Sequence, residues 1–417
     1  MKKGKRGLLE NFGPGFVTGA ADDDPSGIAT YSQVGASFGF GMLWTAIVTL
    51  PLMYVIQEMV ARIGLICNKG LTAVIKKNYS AGWLFLFVGL IVLANVINIG
   101  ADLGAMAEAV RLFDASIPGW LLVVFFGVLI LFFEIFLSYK RYANILKWLA
   151  LSLLSYCLTL FIVTRDWREL LVNALWPHIV FSKNFMYSLV AILGTTISPY
   201  LFVWQSNEEV EERLAKKNGG GKFRFYKEKE IKQMRRDTWQ GMVFSQLIMF
   251  CIVATSASAF FQHGIFDIKS AAEAAEALMP LAGKFAGAIF AAGIIGTGLL
   301  AVPILSASIS YAISEAMNWD EGLDKKLYQA KNFYRVIVIA TVLGILFNLL
   351  NINSIQALVW AAILNGIATI PLIYIILKIA NNQKLMGKYV NGKWNNILGI
   401  GAFLLIVASC LLALIVE

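Results

Sequence analysis

The chain has 417 residues, of which 58% are hydrophobic and 15% charged, and its mean hydropathy of +0.70 excludes an ordinary soluble protein. Apolar runs of helix-spanning length recur along it and predict an all-α integral membrane protein. The net charge is +9, but the basic residues are dispersed among several loops, whereas a nucleic-acid-binding protein would gather them on one soluble face. This distribution argues against a nucleic-acid partner, and the lipid bilayer is the expected surrounding.

Eleven transmembrane helices are predicted from these apolar runs. They lie at about residues 12 to 38, 40 to 61, 83 to 110, 119 to 139, 143 to 164, 185 to 212, 238 to 262, 282 to 314, 332 to 350, 354 to 378 and 396 to 416. The first and the sixth are interrupted by polar residues and a proline. These two broken helices are five spans apart, so the chain divides into two five-helix units and one additional span.

Interruptions at corresponding places in two halves of a chain indicate inverted repeats with a transport site near the bilayer midplane. The predicted organisation is a cytoplasmic tail at 1–11, a first five-helix repeat at 12–164, a second, inverted repeat at 185–378 and an extra transmembrane helix at 396–416. Each break comes after about 11 residues of apolar helix, or roughly 16 Å, which is half of a hydrocarbon core of roughly 30 Å. Both breaks are therefore expected near the membrane centre.

The distribution of basic residues predicts the orientation in the membrane. Of the 35 Lys and Arg residues, 29 fall in alternate segments on the side of the N-terminus, and such segments stay cytoplasmic. We therefore expect a cytoplasmic N-terminus and an external C-terminus in a plasma membrane, such as the bacterial inner membrane, and a monomeric protein without a cleaved signal peptide. The longest cytoplasmic loop, 213–236, is interpreted as a solvated linker near anionic lipid or as a gating or regulatory element.

The first break places three adjacent carboxylates, Asp22, Asp23 and Asp24, before Pro25 in an apolar span. A charged side chain at a helix centre is disfavoured by roughly 2.5 to 3.5 kcal/mol on insertion scales, so such residues usually face a bundle interior and serve transport. The second break is Gly194 to Tyr200, where Pro199 interrupts the sixth span. Proline removes a backbone donor and leaves a carbonyl free for other partners.

The residues around these breaks resemble the Nramp family of divalent-metal transporters. The resemblance rests on the Asp24-Pro25 break with its flanking glycine motifs, on Asp102-Leu103 in the third span and on Pro199 in the sixth. It covers nearly the whole chain through the eleven-span layout. It implies a LeuT-like fold, two inverted five-helix repeats with broken helices 1 and 6, and a metal site between these two helices.

Two departures from the Nramp pattern change the expected cargo. The family usually has Asp-Pro-Gly-Asn in the first break and Met-Pro-His in the second, whereas this chain has Ser26-Gly27 after Asp24-Pro25, and Ser198-Pro199-Tyr200. The amide ligand and the sulfur ligand are therefore both absent, and oxygen ligands suit Mg²⁺, Ca²⁺ and Mn²⁺ better than softer ions. Gly27 is expected to leave room for a partly hydrated ion such as Mg²⁺. The pattern resembles the Nramp-related magnesium transporter branch.

Asp24 is the leading metal ligand, because it alone aligns with the invariant position of the motif, although it also fits a helix cap. The remaining metal-site candidates are Asp23, Gly27, Thr195, which would give its carbonyl, and Ser198, whose hydroxyl either contributes or bonds back to its own helix. Pathway or surrounding positions are predicted at Asp22, Ser26, Asn98, Asp102, Tyr200 and Gln205. For Asn98 and Gln205, interhelical hydrogen bonding is an equal alternative.

Proton coupling is not expected. The residue three positions after Asp102 is Ala105, where the resemblance implies an acid, and the sixth-helix histidine is replaced by Tyr200. A tyrosine does not titrate near neutral pH as a histidine does. The sequence thus predicts a secondary transporter that moves a hard divalent cation by alternating access, with Mg²⁺ first and Mn²⁺ second, and with no cofactor beyond this cargo.

Two other functions compete with this prediction: a proton-coupled Mn²⁺ or transition-metal Nramp transporter, and a Na⁺-coupled carrier for an organic solute on the same fold. Three carboxylates at the break argue against an anionic solute. An enzyme is not expected, since the chain contains no HExxH or GxSxG motif. Two further predictions are a solvated acidic face from Glu208 to Glu212 and an ordinary ion pair between Glu58 and Arg62.

Overall fold

The computed structural model describes residues 13–136, 153–218, 228–268, 271–276, 283–350 and 353–416. Within these ranges the regular structure is helical throughout, without a strand, which confirms the all-α prediction. Three predicted segments lie outside the described residues: the tail at 1–11, residues 143–152 of the fifth span, and the centre of the basic loop at 219–227.

The α-helices are numbered here in chain order. The first half of the chain contains α1 (Pro14–Asp22), α2 (Pro25–Phe38), α3 (Trp44–Cys67), α4 (Leu71–Asn78), α5 (Ala81–Arg111), α6 (Gly119–Phe136), α7 (Leu154–Val163) and α8 (Trp167–Leu175). The second half contains α9 (Lys183–Thr196), α10 (Pro199–Asn218), α11 (Glu228–Ala259), α12 (Ala271–Glu276), α13 (Ala286–Met317), α14 (Lys331–Phe347), α15 (Ser354–Ala380), α16 (Gln383–Met386) and α17 (Lys393–Ile415).

Nine helical segments of the described chain are long and apolar enough to cross a membrane. They correspond to nine of the eleven predicted spans, and the α9–α10 pair forms one of them. The first predicted span is divided into the shorter helices α1 and α2, and the described part of the fifth is the apolar helix α7. The arrangement thus follows the predicted sequence of spans through every described range.

Both predicted breaks are present. The first helix ends at Asp22 and the chain restarts as helix at Pro25, while the sixth span stops at Thr196 and restarts at Pro199. A proline suits the first helical position, because its ring fixes a helical φ and its missing N–H would be unpaired there anyway. The sequence therefore ends one helix and begins the next at each break.

The amino-terminal half of the broken first helix packs directly on α11. A methyl group added at Gly19 would lie 2.6 Å from the Cα of Gly241, and one added at Gly15 would lie 2.6 Å from the backbone of Thr238. Only residues without a side chain allow two helix backbones to approach this closely. In this structure the packing places α1 against α11, and with it the Asp22 end of the break.

Two minor predictions need correction. Glu208 and Glu209 are buried rather than solvated, and Glu211 accepts hydrogen bonds from the Tyr311 hydroxyl and, at 3.1 Å, from the Leu323 amide. Glu211 thus lies at the joint between α10 and the end of α13, whereas Glu209 and Glu212 line a cavity beside Gly13 and Asp237.

The predicted Glu58–Arg62 pair is present, with Nε and Oε1 3.0 Å apart, but it is buried and belongs to a larger network. Glu58 also accepts from Arg235 of α11 at 2.8 Å and from Asn395 of α17 at 3.1 Å. Buried charges are stable only when they are paired and hydrogen-bonded. The network therefore joins the eleventh span to the bundle.

Candidate metal site at the two helix breaks

The two breaks lie side by side. The Tyr200 hydroxyl, at the start of α10, donates to the carbonyl of Ala21 in the last turn of α1 at 2.8 Å. The Thr195 hydroxyl of α9 lies 3.2 Å from the Tyr31 hydroxyl of α2. All four residues are buried. The half-helices of the first and sixth spans are therefore connected on both sides of the breaks, as a shared site requires.

Asp24 caps α2. Its Oδ1 accepts from the Gly27 amide at 2.8 Å, and its Oδ2 accepts from the Asn98 side-chain amide of α5 at 2.9 Å. The helix-cap alternative for this residue is thus realised. A carboxylate has about four lone-pair sites, so the cap leaves acceptor capacity on the same side chain for a cation.

Asp22 and Asp23 share one donor. The hydroxyl of Ser245 in α11 lies 2.8 Å from Asp22 Oδ2 and 3.4 Å from Asp23 Oδ1. The other oxygens, Asp22 Oδ1 and Asp23 Oδ2, are buried and have no hydrogen-bond partner among the described residues. Ser245 has a single proton and cannot satisfy both carboxylates. Asp22 and Asp23, which precede Asp24, thus each have one buried oxygen that a cation could satisfy.

The third predicted span contributes a polar stripe to the site. Asn98 and Asp102 lie one helical turn apart on α5 and are fully buried. Asn98 Oδ1 and both carboxylate oxygens of Asp102 have no hydrogen-bond partner in the described part of the chain. Asn95, one turn further, instead donates to the Leu305 carbonyl at 3.1 Å. Asn98 and Asp102 thus lie beside Asp24 at the first break, whereas the amide of Asn95 links two helices.

At the second break, Thr195 and Ser198 bond to each other. The Ser198 hydroxyl lies 2.6 Å from the Thr195 carbonyl and 2.9 Å from the Gly194 carbonyl. The back-bonding alternative for Ser198 is therefore present in this structure. The Thr195 carbonyl, which has no amide donor because Pro199 lacks one, keeps a second lone pair for a cation.

The first turn of α2 is tighter than expected. A methyl group placed on Gly27 would lie 3.3 Å from both the Asp22 carbonyl oxygen and the Tyr31 ring. The sequence analysis expected room for a hydrated ion beside Gly27, but the Asp22 carbonyl and the Tyr31 ring occupy part of that space. Ser26 is buried next to Asp24 and Asp102, in the position predicted for a surrounding residue.

Gln205 lies away from the break, and its side-chain amide donates to the Thr238 hydroxyl of α11 at 2.8 Å. This contact is the interhelical hydrogen bond that the sequence analysis gave as the alternative role of Gln205.

The sequence analysis did not identify Ser245 or Tyr31 as residues near the breaks. Ser245 stands beside Gln246 in the middle of an otherwise apolar span, and this polar pair was the signal that could have identified it.

The site is closed, because Asp22, Asp23 and Asp24 are each at most 3% exposed. No group of three His, Cys, Asp or Glu side chains within the described ranges is close enough to hold a metal ion by itself. An ion bound here would therefore need carbonyl, amide or hydroxyl oxygens, or retained water. Such a mixed oxygen shell is the kind that Mg²⁺ and Ca²⁺ accept.

The family model and the related sequences that match this chain all belong to divalent metal transporters of one family. Residues 15–416 match the family model described as natural resistance-associated macrophage protein-like, Nramp. A divalent metal cation transporter MntH from Clostridium acetobutylicum is 26% identical over 409 residues, which cover 94% of this chain and 88% of the relative. A second MntH, from Caldanaerobacter subterraneus subsp. tengcongensis, is 24% identical and covers 98% of this chain and 94% of its own.

Solved structures confirm the fold. A manganese transporter from Eremococcus coleocola superposes with a TM-score of 0.76 at 15% identity, over 100% of this chain and 88% of its own. The amino-acid-bound MhsT superposes with a TM-score of 0.62 at 11% identity, over 96% of this chain and 98% of its own. The helix order, the two breaks and these superpositions together establish the LeuT-like fold.

Proposed function

Because this chain belongs to the Nramp family of transporters, we propose that it carries a hard divalent cation, Mg²⁺ first and Mn²⁺ second, across the membrane by alternating access. The cation binds between the two helix breaks and crosses without an accompanying proton. The N-terminus faces the cytoplasm, and one copy of the chain contains the whole pathway. The family supports divalent-metal transport, whereas the proposed choice of ion and absence of coupling are argued from this chain's own residues.

The observation that carries the proposal is the set of buried oxygens around Asp23. Carboxylate oxygens of Asp22, Asp23 and Asp102 are shielded from solvent and lack donors in the described chain. Buried anionic oxygens without partners are strongly disfavoured, and a bound cation removes this penalty. The side chains that contact the break residues are hydroxyls and an amide, which prefer hard ions.

The proposed ligand set follows from the same contacts. Asp23 and Asp24 supply carboxylate oxygens, and Thr195 supplies its carbonyl. Gly27 contributes as the capped amide that orients Asp24, and Ser198 holds the second break by its hydroxyl. Water completes the shell, as is usual for Mg²⁺, which dehydrates reluctantly.

The absence of proton coupling is supported at two positions. The Tyr200 hydroxyl is engaged with the Ala21 carbonyl and is buried, and Ala105 has no titratable group. Both described histidines, His178 and His263, are exposed and lie outside the breaks. Uptake is then driven by the ion gradient and the membrane potential, which contributes roughly 4.6 kcal/mol per 100 mV for a divalent cation.

Uptake into proteoliposomes tests the proposal, with Mg²⁺, Mn²⁺, Ca²⁺ and Cd²⁺ offered separately and internal pH recorded by a dye. We expect Mg²⁺ uptake without acidification of the lumen. Asp24→Asn keeps the helix cap, because asparagine also accepts from the Gly27 amide, but it loses the charge. This variant should reduce uptake at least tenfold, whereas Asp114→Asn, at an exposed loop carboxylate, should not.

Two results would overturn specific parts of the proposal. Preference of the wild-type protein for Cd²⁺ would refute the hard-ion assignment, and normal uptake by Asp24→Asn would refute the site.

The main alternative is a proton-coupled manganese transporter. The similarity to the Eremococcus coleocola manganese transporter favours the manganese cargo of this alternative. Metal-dependent acidification of the lumen in the same assay would establish this alternative. A Na⁺-coupled organic-solute carrier would instead show no cation uptake and a requirement for Na⁺.

A further inference from the structure

The amino-terminal end of α1 is capped by a side chain from a distant part of the sequence. The residue before the helix is Gly13, which offers no side-chain acceptor of its own. Asp237 of α11 takes this role: its Oδ1 accepts from the Gly13 amide at 2.8 Å, and its Oδ2 accepts from the amides of Gly15 at 2.7 Å and Phe16 at 3.3 Å. Asp237 is buried. A carboxylate placed there also interacts favourably with the positive end of the helix dipole.

We propose that this contact, Asp237 with the first amides of α1, is a latch that keeps the metal site closed on the side where α1 begins. The helix is only nine residues long and is separated from α2 by the break at Asp23 and Asp24. It can therefore swing about that break. Asp237 holds the opposite end, about 13 Å away along the helix, where a swing produces the largest displacement.

The surroundings of the latch indicate which partner moves. Neighbouring residues fix α11 to two other helices: Arg235 binds Glu58 of α3 at 2.8 Å, and Thr238 binds Gln205 of α10 at 2.8 Å. Asp237 is thus presented by an anchored helix, and α1 is the element that can leave.

A cavity already exists beside the latch. Gly13, Pro14 and Asp237 line it together with the acidic residues Glu209 and Glu212 of α10. If α1 moved away from Asp237, this cavity would extend along the vacated path towards Asp22. The released cation would then meet carboxylates before it reached solvent. Asp237 is accordingly a positioning residue for one of the two access states, and it acts through α1 without touching the cargo in the closed state.

Site-specific thiol labelling tests the latch. In a variant whose four native cysteines are changed to serine, Val17→Cys reports on α1 and Ser32→Cys reports on α2, beyond the break. Both positions are buried in the closed state. The two single-cysteine proteins are labelled with a membrane-impermeant maleimide in liposomes without any divalent cation. Asp237→Asn, which loses the charge and one acceptor, should raise the labelling rate at Val17→Cys about tenfold.

The second reporter separates a latch from a general loosening. A shift towards one access state should leave labelling at Ser32→Cys unchanged or lower it, whereas a loosened structure would raise labelling at both positions. Glu212→Gln removes a charge from the same cavity but leaves Asp237 and its bonds to the α1 amides in place, so it should raise neither rate. Asp237→Ala, which removes both acceptors as well as the charge, should raise the labelling rate at Val17→Cys at least as far as Asp237→Asn does.

Three results would overturn the latch: no increase at Val17→Cys, an equal increase at both reporters, or an equal increase in Glu212→Gln. The inference rests on the proposed alternating access, but the labelling uses no cargo. A wrong assignment of the transported ion would therefore appear in the uptake assay and leave the labelling result intact.

Discussion

The side-chain amide of Asn98 donates to Oδ2 of Asp24 at 2.9 Å, and this bond joins the break of the first helix to the polar stripe of α5. The contact is fully buried, and the other carboxylate oxygen of Asp24 is occupied by the Gly27 amide. Asn98 therefore decides the direction in which the carboxylate of Asp24 faces. A residue of this kind orients a metal ligand even when it does not bind the metal itself.

Asn98→Ala should therefore raise the KM for Mg²⁺ uptake about tenfold or more. A hydrogen bond to a charged group contributes about 1.5 to 3 kcal/mol, and about 1.4 kcal/mol corresponds to a factor of ten. Concentration-dependent uptake into proteoliposomes measures this effect. Asn95→Ala is the matched control, because Asn95 lies one turn away and donates to a backbone carbonyl. Equal changes in the two variants would mean that Asn98 acts only in helix packing.

Ser198→Met should add Cd²⁺ to the transported ions. The Ser198 hydroxyl bonds to the carbonyls of Gly194 and Thr195, so methionine would release these carbonyls and place a thioether at the second break. A sulfur ligand favours soft ions. Competition of Cd²⁺ with Mg²⁺ uptake measures the change.

Ser198→Ala is the control for that substitution, because it removes the hydroxyl without adding sulfur. Inhibition by Cd²⁺ should stay at the wild-type level in the alanine variant. If alanine and methionine increase Cd²⁺ inhibition equally, the release of the carbonyls and not the sulfur is responsible.

The fold was predictable from the sequence because membrane burial leaves a strong pattern. Apolar runs, the Asp24-Pro25 and Ser198-Pro199 interruptions and the basic loops depend on local composition, and each gives a helix boundary directly. Nine of the predicted spans and both breaks are confirmed on this basis. The helix cap at Asp24 was likewise foreseeable, since a capping residue acts on amides two or three positions ahead.

Contacts between segments that are far apart in the chain leave no such pattern in the sequence. Ser245 is more than 200 positions from Asp22 and Asp23, and Asp237 is equally distant from Gly13, so no spacing rule relates them. The burial of Glu208 and Glu209 was missed for the same reason: an acidic run at a helix end usually faces water, and here other segments of the folded chain cover it. The packing of helices decides these contacts, and only the folded chain displays it.

The loop after α13 should make stability depend on pH. Burial, followed by the nearby carboxylates of Glu315 and Glu211, raises the pKa of Glu321 well above its ordinary value, and its Oε2 has no hydrogen-bond partner among the described residues. In the unfolded chain this group ionises near its ordinary pKa, so between that pKa and the raised one the folded state binds more protons. Stability contributed by this group is therefore full at low pH and is lost as pH rises through this window.

Glu321→Gln should abolish that loss. The thermal unfolding midpoint of the variant should exceed that of the wild type by about 2 °C or more at pH 8, and the difference should vanish near pH 4. Thermal unfolding in detergent across this pH range measures it. Asp320→Asn is the control, because Asp320 is exposed and the neighbouring Lys325 lowers its pKa, so it should show no gain at pH 8. A gain for Glu321→Gln that is independent of pH would contradict the ionisation argument.

Gly19→Ala should destabilise the protein through the contact between α1 and α11. The added methyl group would overlap the backbone of Gly241, and a backbone cannot move aside as a flexible side chain can. Overpacking of a well-packed interior costs about 1 to 3 kcal/mol, so we expect a lower unfolding midpoint and less folded protein in the membrane. Gly89→Ala is the matched control, since its methyl group would meet no atom within 4 Å and alanine favours a helix. If Gly19→Ala is as stable as Gly89→Ala, then α1 can shift on α11 at little cost, and the close contact of Gly19 with Gly241 would not hold α1 in its place.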